Sequence, residues 1–224
     1  YARTPFNMPS FHVWTVGCQM NVSDSERLSS GFSKMGFDST DDMAYADVVI
    51  LNTCVVRQSA EDTATGVLGR LGKRMTGKKG NDDRMIAVMG CMVGPKTDDL
   101  ERRFPAVDAW ARPQQFEPIL AIADTALTER DVSEGELGAA QLIQWDSTYG
   151  KPAGPTAFVP VIHGCDKFCT YCIVPLRRGR EDSRPSVEIL DEVRFLAANN
   201  VREVTLLGQT VEAYGHDIDE DVDL

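Results

Sequence analysis

Apolar and polar positions fall in alternating blocks through the first half of the chain. Residues 11–16 (Phe-His-Val-Trp-Thr-Val) read as a short strand that closes at Gly17-Cys18-Gln19-Met20-Asn21. Ser23 with Glu26 has the spacing of a capping box, which predicts a helix from there to about Met35, stopped by Gly36. Residues 46–51 form a continuous apolar run, the pattern of a strand buried on both faces of a parallel sheet, and end at Asn52-Thr53-Cys54. A helix is expected over 58–74, then a glycine- and lysine-rich loop over 75–83. A third strand, 85–89, leads into Gly90-Cys91-Met92. Pro95 reads as the opening of a further helix, 107–110 as a weaker strand, and 113–123 as the last helix of this half.

Strands that alternate with helices imply a doubly wound parallel sheet of the flavodoxin or Rossmann kind. In such sheets the loops at the carboxyl ends of the strands share one edge. Cys18, Cys54 and Cys91 each follow a strand by one to three residues, at separations of 36 and 37 positions. The topology therefore brings three distant thiols to one place. Free cysteines are often simply buried; the same topological position used three times argues against that here.

The second half reads differently. Residues 158–162 are a strand, expected to be irregular at Pro160 or to have Pro160 near its start, because proline cannot donate to a ladder. Ser186 is expected to cap a helix whose apolar stripe is Val187, Leu190, Val193, Leu196 and Ala197. Asn199-Asn200 ends it, and 201–207 is the next strand. This βαβ unit resembles the opening of a β/α barrel, with the functional rim in its first βα loop. The expected division is residues 1–124, an acidic linker at 125–157, and a truncated partial barrel at 158–224. Only two barrel strands precede the acidic tail, and the chain opens on Tyr1. A fragment is therefore expected, and one that does not turn over by itself.

Between that strand and helix lies His163-Gly-Cys165-Asp-Lys-Phe168-Cys169-Thr-Tyr171-Cys172, half of the six cysteines in one loop. A structural zinc site closes with four protein ligands, and iron–sulfur clusters are usually held by four cysteines. Three thiolates with no fourth ligand leave one metal position open, the arrangement used with S-adenosylmethionine in radical chemistry. Composition is compatible with this. Net charge is −11, which does not favour a nucleic-acid partner by itself, and no apolar run is long enough for a membrane span. The clustering of cysteines favours metal binding in a reducing compartment over a disulfide framework.

Cys165-x3-Cys169-x2-Cys172 resembles the signature of the radical S-adenosylmethionine enzymes. Gly-Cys18-Gln-Met-Asn, Asn-Thr-Cys54 and Gly-Cys91-Met look like the N-terminal domain of the methylthiotransferases among them. Gly179-Arg180-Glu181, Ser183-Arg184-Pro185 and Leu206-Leu207-Gly208-Gln209 match as well. The resemblance implies two 4Fe-4S clusters. Cys165, Cys169 and Cys172 would hold the one that binds and cleaves S-adenosylmethionine to a 5′-deoxyadenosyl radical, with Tyr171, Phe168 and Gln209 touching that cofactor. Cys18, Cys54 and Cys91 would hold an auxiliary cluster that carries the sulfur. The tRNA-modifying branch places a methylthio group on carbon 2 of an isopentenylated adenosine beside the anticodon. It implies tRNA and a reductant such as flavodoxin or ferredoxin as partners, a monomer, and a cytoplasmic location. Arg177, Arg178 and Arg180 read either as contacts to RNA phosphate or cofactor carboxylate or as a solvated loop paired with Glu181 and Asp182; with 73–74 and 78–79 they are the expected electrostatic handles for RNA. Leu176-Arg177 and Thr210 depart from the residues usual in that branch, Tyr-Thr and Asn. Alternatives are methylthiolation of a ribosomal-protein aspartate or of threonylcarbamoyl-adenosine, and a non-enzymatic electron carrier or zinc scaffold. Asn21 and Asn52 are expected to hydrogen-bond within the auxiliary loops, His12 to pack in its strand, and His163 to support the triplet without ligating iron.

Overall fold

A computed structural model describes residues 8–75, 84–128 and 154–218. The expected basic handle at 78–79, most of the linker and the end of the acidic tail lie outside the described residues. The first unit runs β1 (Ser10–Thr15), α1 (Gln19–Lys34), β2 (Asp38–Ser39), β3 (Val48–Thr53), α2 (Gln58–Met75), β4 (Met85–Gly90), α3 (Asp98–Arg103), β5 (Ala109–Ala111) and α4 (Glu117–Thr128). Its strands form one parallel sheet in the order β2-β1-β3-β4-β5, the flavodoxin-like winding.

Period-two alternation explains why helices cover both faces. Val48 and Ile50 join Leu28 and Phe32 of α1 and Ile119 and Leu120 of α4 in one core. Val49 and Leu51 point the other way, against Ala64, Leu68 and Leu71 of α2. Every residue of β3 is buried, as the unbroken apolar run requires of a central strand. Each such Leu or Ile contributes about 1.5–3 kcal/mol by leaving water. Phe11 stacks on Phe32 at 5.0 Å, which ties β1 to α1.

Several boundaries differ from the sequence expectation, each for a local reason. Helix α1 begins at Gln19, not at Ser23, because Asn21 Oδ1 accepts the Cys18 N–H (3.2 Å) and closes the first turn four residues earlier. The Ser23–Glu26 capping box therefore does not form; Ser23, Asp24 and Ser25 lie inside the helix and are buried. Helix α3 starts at Asp98 and not near Pro95, with Thr97 Oγ1 bonded to Glu101 Oε1 (2.5 Å). Helix α4 starts at Glu117 and not Pro113, after the chain turns through Gln114 at φ +68°.

The second unit comprises β6 (Thr156–Pro160), β7 (Ile162–His163), α5 (Val174–Arg178), β8 (Asp182–Ser183), α6 (Ser186–Ala198) and β9 (Glu203–Leu207). Strands β6 and β9 pair in parallel around α6, as expected for the start of a β/α barrel. Pro160 ends β6. The expected single strand breaks there, and residues 162–163 pair antiparallel with β8 instead. Pro185 stands at the helix N-cap, so Ser186 is the first helical residue. The apolar stripe of α6 is also corrected. Val187 and Leu190 are exposed, while Ile189, Glu192 and Leu196 are buried.

A buried acid explains that rotation. Glu192 accepts from Arg184 (2.6 Å) in its own unit and from Arg27 of α1 (3.2 Å), with all three side chains almost wholly buried. This ion triad, together with the Arg178–Asp24 pair (3.3 Å), joins the two units. Among the described residues no helix is long and apolar enough to cross a membrane.

Candidate functional site

Cys18, Cys54 and Cys91 lie just beyond the carboxyl ends of β1, β3 and β4. A buried amide network holds their loops together. Asn21 Nδ2 donates to Asn52 Oδ1 (2.8 Å) and to the Thr53 carbonyl (3.1 Å). Asn52 Nδ2 donates to the Asn21 carbonyl (2.8 Å) and Ser25 Oγ (2.9 Å). Thr53 Oγ1 donates to the Met89 carbonyl (2.7 Å), and the Cys91 N–H to the Thr53 carbonyl (2.9 Å). The expected bonding within a loop is present at Asn21, whose Oδ1 accepts the Cys18 N–H, and the two asparagines also bond between loops, which fixes the cysteines relative to one another. Gly90 sits at φ +97°, and any Cβ there would strike the Thr53 carbonyl and Asn52 Oδ1. Only glycine allows β4 to approach β3 so closely before the Cys91 turn.

Cys54 and Cys91 are buried and Cys18 is exposed. Burial pushes the Cys91 thiol up; Arg178 opposes this, and nearby Cys54 and Cys18 add to it. The three sulfurs therefore influence one another, and the positive group among them comes from the second unit. Arg178 is the last residue of α5, six positions after Cys172. Its Nη2 donates to Asp24 Oδ2 (3.3 Å), and both side chains are 2% exposed. The Asp24 carboxyl is pushed up by burial and held down by Arg178 and Arg27.

The triplet is built on less. Cys165 is buried, Cys172 half-buried and Cys169 exposed. Gly164 takes φ +69° with its α-carbon packed on the backbone of Gly179 and Arg180, and the Cys165 N–H donates to the Gly179 carbonyl (3.1 Å). The Gly179-Arg180 backbone therefore supports the start of the loop. Asp166 accepts from Arg180 at both oxygens (2.5 and 2.7 Å), and its N–H donates to Glu181 Oε1 (3.1 Å). Cys165 Sγ lies 2.9 Å from Thr210 Oγ1. Phe168 and Tyr171 are 92% and 93% exposed. Gln209 lies next to Thr210, with a buried Oε1 that has no partner among the described residues.

His163 is buried and bonded to Gln114 of the first unit, its pKa pushed down to about 3 mainly by burial and then by Arg27, Arg178 and Arg184. The expected packing of His12 is a bond from Nδ1 to the Thr40 carbonyl (2.7 Å).

The three arginines taken as handles part company. Arg180 is exposed, Arg178 is buried, and Arg177 packs against Gly94 in the loop after Cys91 while its carbonyl accepts from Arg112 (3.4 Å). A basic cluster gives no sign of which members turn inward. The partner of Arg178 had one faint signal, an acid inside the serine-rich run 23–30. Among the described residues no three His, Cys, Asp or Glu side chains converge tightly enough for a single metal ion. A multi-iron cluster takes each cysteine at a different iron and spaces them wider. A cavity of about 550 Å³ between α1 and β6 is lined by no cysteine.

Residues 10–112 match the family model described as uncharacterized protein family UPF0004, and residues 159–223 match the radical SAM superfamily. These two models divide the chain where the two cysteine sets do. The tRNA-2-methylthio-N(6)-dimethylallyladenosine synthase of Herpetosiphon aurantiacus is 38% identical over 209 residues, covering 93% of this chain and 45% of that protein. The synthase of the same name from Dictyoglomus thermophilum is 38% identical over 217 residues, covering 94% and 47%. Across nearly its whole length the chain is similar to radical S-adenosylmethionine methylthiotransferases, and its residues 159–223 match the radical SAM superfamily. It spans a little under half the length of those methylthiotransferase relatives. The radical S-adenosylmethionine methyltransferase TsrM of Kitasatospora setae, solved with tryptophan and a cofactor analogue, shares the fold at a TM-score of 0.56. The match covers 91% of this chain and 48% of that one at 14% identity.

Proposed function

We propose that the chain provides the two cofactor-binding cysteine sets of a methylthiotransferase that modifies carbon 2 of isopentenylated adenosine in tRNA. The observation that carries this is the pairing of two separate three-cysteine sets, each short of a fourth cysteine, on units joined through the segment that follows the triplet. The relatives' name supports the substrate.

Cys165, Cys169 and Cys172 would hold one 4Fe-4S cluster, with an iron left for S-adenosylmethionine. Cys18, Cys54 and Cys91 would hold the other. When bound, these groups supply one-electron chemistry and the sulfur to be inserted, neither of which a side chain can provide. The residues fit such groups. The unpartnered Gln209 Oε1 offers an acceptor on the residue before Thr210, which contacts Cys165, and the buried guanidinium of Arg178 offers positive charge where thiolates and sulfides would gather. The roles of the protein are then to orient the thiolates, to keep Cys54 and Cys91 away from water, and to present the exposed Tyr171 and Phe168 to the cofactor. Arg180, held by Asp166, is the handle of the three that remains open to RNA phosphate.

The test uses a strain lacking the full-length protein. Complementation with the wild type is expected to restore 2-methylthio-adenosine in tRNA by mass spectrometry, and Cys18→Ala is expected not to. Unmodified tRNA with a methylthiolated ribosomal protein would overturn the substrate.

A further inference from the structure

Arg178 has more capacity than its ion pair uses. Its Nη2 bonds Asp24, and Cys91 lies against the same guanidinium. The side chain is 2% exposed, yet Nη1 has no acceptor among the described residues. A buried N–H of a charged group left without a partner is costly. Such an orphan marks a place where a bound group is expected to accept. The surroundings specify its chemistry. The Asn21–Asn52 amides, Thr53 and the three cysteines share the same sheet edge, and among the described residues Asp24 is the acid paired with the guanidinium. Such surroundings suit an anionic, soft group bound by thiolates.

We propose that Arg178, carried by the segment that follows the radical triplet, completes the auxiliary site by donating its Nη1–H to the sulfur of the group held by Cys18, Cys54 and Cys91. This rests on the functional reading above. Arg178 would then be a cofactor-contacting residue that the first unit lacks and the second supplies. The auxiliary group would acquire its final electrostatic environment only when the two units are docked. Positive charge beside a cluster favours its reduced, more negative form, so the contact raises the midpoint potential.

The experiment uses the chain with Cys165, Cys169 and Cys172 all replaced by Ala, reconstituted anaerobically with iron and sulfide, so that any cluster signal comes from the auxiliary site. Arg178→Gln is expected to lower the midpoint potential of that signal. It should also speed iron loss to a chelator on the order of tenfold, the usual scale for lost partners of a metal centre. Arg178→Lys, which keeps the charge, is expected to restore the potential most of the way. Asp24→Asn removes the counter-charge and is expected to move the potential upward; it covers the case in which Arg178→Gln does not fold. Unchanged potential in every variant, with only the melting temperature lowered, would reduce Arg178 to packing and overturn the inference. Absence of iron from the triple-alanine parent would instead overturn the two-cluster reading, and this inference with it.

Discussion

The two cysteine sets reach similar chemistry by opposite routes. Cys18, Cys54 and Cys91 come from three loops far apart in sequence, and their alignment is enforced by a parallel sheet and a buried Asn21–Asn52–Thr53 network. Cys165, Cys169 and Cys172 come from one loop of eight residues whose Phe168 and Tyr171 stand in solvent. The first site is preorganised by the fold; the second is set by local spacing and keeps an open rim. A site that must hold a sulfur poised for transfer gains from rigidity. One that must admit and release a large cofactor gains from an open rim.

Four substitutions separate these two kinds of order. The largest effect is expected from Glu192→Ala, which leaves Arg184 and Arg27 buried without their carboxylate; about 3–5 kcal/mol of stability should be lost in chemical denaturation. Both sites should weaken together, because this triad joins the units. Asn52→Ala removes one of the two acceptors of Asn21 Nδ2 and the donors to Ser25 Oγ and the Asn21 carbonyl, and should cost about 2–3 kcal/mol. Its iron loss should be confined to the auxiliary set; equal loss from the triplet would break the contrast. Gly90→Ala forces a side chain onto the Thr53 carbonyl at φ +97° and should cost about 1–3 kcal/mol, with the same selectivity. The smallest effect is expected from Thr210→Val, which removes the hydroxyl beside Cys165 and should change stability by about 1 kcal/mol or less. Electron paramagnetic resonance of the reduced protein should then show a shift in the triplet's signal alone.

How much of this was legible varied with the range of the interactions. The apolar run 46–51 announced a central strand because burial on both faces leaves no polar position to alternate. The three strand-end cysteines followed from parallel topology, and the triplet from spacing alone. The start of α1 was not legible. Cys18 is not a preferred cap, and the Ser23–Glu26 pattern offered a better local match; the Asn21 side chain that accepts the Cys18 N–H is itself held by Asn52, a tertiary contact. The orientation of α6 failed for a related reason. Periodicity sends Glu192 outward, whereas two arginines 8 and 165 positions away hold it inside. Helix α5 has five residues and no period to read, so the inward turn of Arg178 was invisible while its charge was plain.

The central claim is that both cysteine sets bind clusters. Anaerobic reconstitution followed by iron analysis and Mössbauer spectroscopy tests it most directly. The account predicts about eight irons per chain, in two four-iron clusters, falling to about four when Cys18, Cys54 and Cys91 are replaced by Ala. About four irons in the wild type, unchanged by that replacement, would contradict it.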